Sequence, residues 1–244
     1  MANARIALLT GLASAVFGVT LAVADAGPGP TSDEVLADGA LRAAAEARGA
    51  QVYAANCASC HGADLKGASG LQVPDLTDDY WRFGGEDMES FRMRPSDVEA
   101  SVRFGIRSGH AQARMASVMP AWSAIAAKSE GLDERALDDV TEYVLHLAGQ
   151  PVDRAAALRG QHLYGGKATC FDCHASDGKG DNSIGAPDLT RPQTWLYGTD
   201  RAALRASIAQ GRAAAMPAFT GTLSDRQIAD VSIYVYGRAA SLDF

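Results

Sequence analysis

Cys57-Ala58-Ser59-Cys60-His61 is the stretch from which the rest of the chain is read, and it returns 113 residues later as Cys170-Phe171-Asp172-Cys173-His174. Two thiols three positions apart can each form a thioether with a vinyl group of haem, and the histidine that follows can supply the proximal ligand to iron. A bare Cys-x-x-Cys also suits a redox disulfide or half of a zinc site. Here all four cysteines lie in two copies of the full motif, and buried structural cysteines give no reason for histidine to follow both pairs. The expected cofactors are two covalently attached haem c groups, one held by Cys57, Cys60 and His61, the other by Cys170, Cys173 and His174.

The offset between the motifs extends to their surroundings. Pro74-Asp75-Leu76-Thr77 recurs as Pro187-Asp188-Leu189-Thr190, and Trp81-Arg82-Phe83-Gly84 is echoed by Trp195-Leu196-Tyr197-Gly198. Alanine-rich helical patterns over 41–56 and 153–164 run into the motifs. A helix ending near Gly105 is predicted in the first half, with Ser96 and Glu99 spaced as a capping box, and one from Asp200 to near Gly211 in the second. Each half closes with a longer amphipathic helix, over 133–147 and 224–236, the latter with Ser224 and Gln227 in capping-box spacing. With no period-2 strand pattern, the fold class is all-α: two tandem domains of the class I cytochrome c type, each wrapped around a covalent haem c. The boundaries read as a leader over 1–26, a linker over 27–44, and domains over 45–150 and 151–244, joined near Gly149-Gln150-Pro151. Domains this small bury little apolar surface without their haem.

The sixth ligand decides whether an iron moves electrons or keeps an open position for chemistry. After residue 150 the only methionine is Met216, followed by Pro217-Ala218. In the first half Met88, Met93, Met115 and Met119 all follow the motif, and Met119 alone precedes the same Pro-Ala, at Pro120-Ala121. Met119 and Met216 are therefore the expected distal ligands beside His61 and His174. Met115 is the runner-up, and Met88 and Met93 read as packing or surface residues. His110, His146 and His162 read as ordinary hydrogen-bonded or solvated histidines. Trp81 and Trp195 are placed to reach a propionate or a carbonyl through their indole N–H. Arg103 and Arg107 could face a propionate or a partner. Histidine–methionine ligation suits the high-potential end of a respiratory chain.

Of 22 basic and 29 acidic residues, 10 and 9 follow residue 150, so the net charge of -7 belongs to the first half. This excludes a nucleic-acid partner and favours a basic one or none. After Arg5, residues 6–24 carry no charge, and Ala22-Val23-Ala24 and Ala24-Asp25-Ala26 suit signal cleavage. The leader reads as a secretory signal or an N-terminal membrane anchor. Either places the remainder in the periplasm, soluble or on the outer face of the inner membrane.

The runs VRFGIRSGHAQARMASVMPAW (102–122) and IGAPDLTRPQTWLYG (184–198), together with both motifs, resemble the dihaem subunit III, or P subunit, of cbb-type cytochrome c oxidases over about residues 41–240. The resemblance implies proximal ligands His61 and His174, distal ligands Met119 and Met216, and attachment at the four cysteines. It also implies a non-catalytic electron-transfer subunit that passes electrons from a donor cytochrome to the catalytic oxidase subunit. Members of the family carry a Trp- and Tyr-rich membrane helix before a longer lead-in, whereas here an Ala/Val/Leu leader starts almost at Met1, an atypically short N-terminus. The haem domains read equally as those of a soluble periplasmic dihaem carrier or of the cytochrome subunit of another dehydrogenase or reductase. A dihaem peroxidase is the reading from another class, and the paired Met-Pro motifs speak against it.

Overall fold

The computed structural model describes residues 30–84, 93–114, 118–126 and 131–239. The leader, Met88 and Met115 lie outside these residues. Among the described residues the chain forms helices and isolated bridges but no strand, and no helix is long and apolar enough to cross a membrane.

The first half contains α1 (Ser32–Ala37), α2 (Gly39–Asn56), α3 (Ala58–His61), α4 (Pro95–Phe104), α5 (Trp122–Ala126) and α6 (Glu134–Leu147). The second contains α7 (Arg154–Tyr164), α8 (Phe171–His174), a 3-10 turn (Pro192–Thr194), α9 (Arg201–Gln210) and α10 (Asp225–Tyr236). Capping explains most starts. The Asp133, Asp153 and Asp200 side chains each accept a backbone N–H of the first turn of α6, α7 and α9. Ser224 and Gln227 form the expected reciprocal box on α10. Ser96 and Glu99 do not cap α4. With Pro95 at the first helical position, Arg94 is the cap residue, and the Asp97 carboxylate accepts its N–H at 3.0 Å. Glu99 instead accepts from Ser32 Oγ at 2.8 Å, tying α1 to α4.

The packing runs across the sequence repeat. Helix α10, the last of the second half, packs on α2 and α4 of the first, while α6, the last of the first half, packs on α7 and α9 of the second. The two crossings have the same construction. Gly49 on α2 meets α10 so closely that a Cβ would lie 2.1 Å from the Asp230 carbonyl, and at Gly160 on α7 a Cβ would lie 1.9 Å from the Asp139 carbonyl of α6. Beside these contacts Arg48 holds Asp230 and Arg159 holds Asp139 through two nitrogens each. The Tyr53–Tyr234 and Tyr143–Tyr164 ring pairs complete the match at 5.5 and 5.1 Å. The unit around each motif thus draws its closing helix from the other repeat, and residue 150 is a boundary of the repeat rather than of the packing.

A side chain at Gly160 has nowhere to go but into backbone. Alanine gains about 1 kcal/mol in helix propensity, yet separating the helices costs more. Gly160→Ala is expected to lower stability by about 1–3 kcal/mol net, read as a lower thermal midpoint.

Candidate functional site

Two apolar clusters flank a shared cavity of about 550 Å³. One contains Tyr53, Leu65, Val98, Val102, Ile228 and Val231, with Cys57, Trp81, Met93 and Met216 packed against it. The other contains Leu137, Val140, Tyr143, Tyr164, Leu204 and Ile208, with Cys170, Trp195 and Met119 packed against it. Met216 therefore joins the motif of the first repeat, and Met119 that of the second. This is the reverse of an arrangement in which each repeat completes its own site.

Backbone pairing holds the exchange in place. Ile106 and Met216 exchange N–H to carbonyl bonds at 3.0 and 2.9 Å, and Met119 and Arg212 do so at 3.1 and 3.2 Å. The chain segments leaving α4 and α9 thus run beside each other as they trade places. Gly105 and Gly211 make the close approach possible. Both sit at positive φ, 72° and 68°, and a Cβ would lie 2.5 Å from the Met216 carbonyl in one case and 2.3 Å from the Met119 carbonyl in the other.

Around each motif the local contacts repeat. Tyr53 Oη donates to the Gly62 carbonyl and Tyr164 Oη to the Ala175 carbonyl, both at 2.7 Å, so a buried tyrosine fixes the turn that follows each histidine. His174 Nδ1 lies 3.0 Å from the Pro187 carbonyl. A carbonyl only accepts, so this bond places the proton on Nδ1 and leaves Nε2 free to bind a metal. Burial pushes the His174 pKa down, with Pro187 opposing and the Arg82 charge adding to the effect. Burial likewise lowers that of His61, opposed by the Pro74 carbonyl, which lies 13 residues on as Pro187 does from His174. His61 Nδ1 itself forms no hydrogen bond of normal geometry. A neutral imidazole is the form that binds iron.

Burial pushes Cys57 up to about 11 and Cys170 up to about 12, whereas reactive Cys-x-x-Cys thiols are depressed. Among the described residues no cluster of three or more His, Cys, Asp or Glu is arranged to hold a metal ion. A cavity walled by four cysteines, two histidines, the three methionines Met93, Met119 and Met216, and aromatic rings, with the Trp81 indole N–H buried and without an acceptor among the described residues, fits a flat apolar macrocycle with acidic substituents. Trp195 Nε1, in contrast, donates to the Asp188 carbonyl at 3.2 Å.

The remaining expectations separate. Met93 packs in the first cluster and its carbonyl accepts from Tyr236 Oη at 3.3 Å. His110 stacks on Phe104, with ring centroids 5.0 Å apart; it, His146 and His162 do not line the cavity. Arg103 is engaged by Glu99 and Asp225, while Arg107 does line the cavity and donates to the Ala214 carbonyl at 2.7 Å. Arg82 lines it too and is not singled out by the motif spacing. Its signal in the sequence is a mismatch, because the second repeat has Leu196 in its place.

Comparison with known proteins gives two matches to family models. Residues 46–148 match "Cytochrome c", and residues 155–235 match "Cytochrome C oxidase, cbb3-type, subunit III". The chain is 36% identical over 204 residues to the "Cbb3-type cytochrome c oxidase subunit FixP" of Bradyrhizobium diazoefficiens, covering 83% of this chain and 64% of the relative. It is 35% identical over 204 residues to subunit CcoP of Cereibacter sphaeroides, with the same coverage of each chain. To subunit CcoP of an Azospirillum species it is 34% identical over 210 residues, covering 84% and 66%. The chain thus spans just under two thirds of the length of these curated relatives.

Proposed function

Because the chain belongs to the family of dihaem cytochrome c subunits (subunit III) of cbb3-type oxidases and carries covalently bound haem c, we propose that it relays electrons through two histidine–methionine irons, from a donor cytochrome towards the catalytic subunit of a terminal oxidase. Haem supplies reversible one-electron chemistry at iron. The chain's residues hold, orient and shield it. Cys57 and Cys60 would anchor one haem and Cys170 and Cys173 the other, with His61 and His174 available to hold the irons, His174 through Nε2. The methionines would serve across the repeat: Met216 would complete the His61 site and Met119 the His174 site. The relay works in the periplasm, and the leader secretes the chain or anchors it to the outer face of the inner membrane.

The observation that carries this reading is the seat of each Met-Pro loop in the cluster that holds the other repeat's motif. A peroxidase needs an iron position open to peroxide. Here a thioether stands ready at each site, and the paired backbone of residues 106, 119, 212 and 216 holds it there. Carbon monoxide added to the fully reduced protein tests the point. Neither haem is expected to bind it rapidly, and prompt stoichiometric binding at one haem refutes the closed relay.

A further inference from the structure

Trp81 and Arg82 are consecutive, yet they address different sites. Trp81 packs against the same apolar cluster as Cys57 and Met216, and its buried Nε1–H has no acceptor among the described residues. Arg82 is held by the second repeat, donating from Nη2 to the Thr194 carbonyl at 3.3 Å, and its charge acts on His174. Both line the haem cavity, and Arg82 also lines a smaller one of about 190 Å³ bordered by Asp78 and Gln193.

Arg82 is out of electrostatic balance. Arg48, Arg103, Arg159 and Arg201 each hold a carboxylate. Arg82 forms no ion pair among the described residues: Asp78 acts on it at longer range, Arg107 adds charge of the same sign, and burial pushes its pKa down. A guanidinium withdrawn from water costs more than one carbonyl returns, so the position calls for an anion. In a cavity walled by two haem motifs, the anions are the propionates. The second repeat has Leu196 at the corresponding position, so two sites have one such arginine between them.

We propose that Arg82 is shared by the two haems: it binds a propionate of the haem at the 170–174 motif while Trp81 donates to a propionate of the haem at the 57–61 motif. The acidic edges of both cofactors then meet at this dipeptide, and the Arg82 charge raises both reduction potentials by favouring the less positive ferrous state. This rests on haem attachment at both motifs but not on the exchange of methionines.

The test is an optical redox titration of the full dihaem protein carrying Arg82→Gln or Arg82→Lys, with haem content and axial-ligand spectra measured alongside. Single-haem variants, with alanine at either cysteine pair, assign the two waves. Arg82→Gln is expected to keep two haems and wild-type ligand spectra while both midpoints fall. At the 170–174 haem the fall is tenfold or more in the oxidation equilibrium, about 59 mV for one electron, and at the other haem it is smaller. Arg82→Lys should recover most of it. Unchanged midpoints in Arg82→Gln, or an equal fall in both variants, overturns the proposal. If Arg82→Gln fails to load haem, Trp81→Phe decides, since it should lower the 57–61 haem alone and an unchanged midpoint there refutes the shared edge. Wild-type spectra lacking histidine–methionine ligation would strike the ligand reading and leave this one standing.

Discussion

In a chain with alanine at Cys170 and Cys173, Met216→His lowers the midpoint of the one remaining haem, and Met119→His leaves it unmoved. In the converse chain, with alanine at Cys57 and Cys60, the two substitutions change roles. The expected fall is on the order of 100 mV or more, within the ~0.8 V range that axial ligands set. The physical basis is that Met216 packs against the same cluster as Cys57 and Trp81, and Met119 against the same cluster as Cys170 and Trp195. If the substitution in a haem's own repeat shifts its potential, the sites are closed within each repeat and the exchange is wrong. The redox readout separates this from a packing defect, because both methionines are half-buried and a histidine in their place supplies another iron ligand.

Residues 30–150 produced alone are expected to attach haem but to hold it in a loose, high-spin state. The fragment lacks Met216, and it also lacks α10, whose Ile228, Val231, Ile233 and Val235 are almost fully buried. Burial of such side chains contributes about 1.5–3 kcal/mol each, so together they approach the ~5–15 kcal/mol that separates folded from unfolded domains. Helices α4 and α6 mark the same dependence, since α4 loses α10 in the fragment and α6 is left without α7 and α9. Co-expression of residues 151–244 should restore a low-spin spectrum. A fragment that is low-spin and cooperative on its own would show that the repeat is also the folding unit.

The longer helices, the starts of α6, α7, α9 and α10 and the all-α class were legible in the sequence, because apolar period, capping side chains and turn residues are local signals. The partner of each helix was not legible. α6 and α10 carry the same devices, Asp139 with Tyr143 and Asp230 with Tyr234, so each offers either glycine-bearing helix an equivalent face. What separates the two solutions is chain geometry. Only residues 148–153 join α6 to α7, and so short a connection makes antiparallel neighbours. Once α6 is committed to α7, α2 is left for α10. Among site residues, Met119 and Met216 stood out through their shared Met-Pro-Ala, while their assignment to motifs depended on this helix exchange. Arg82 was hidden because repeat comparison rewards what recurs, and its meaning lies in what does not.

The pairing of Arg48 with Asp230 spans 182 residues of chain. In a chain synthesised from its N-terminus, the first haem-binding motif emerges long before the helix that closes its pocket. Contacts so distant in sequence also form slowly. The thiols of Cys57 and Cys60 consequently remain open until nearly the whole chain has been made. The fold sets an order of its own: the first motif is complete early, and closure waits for the last helix.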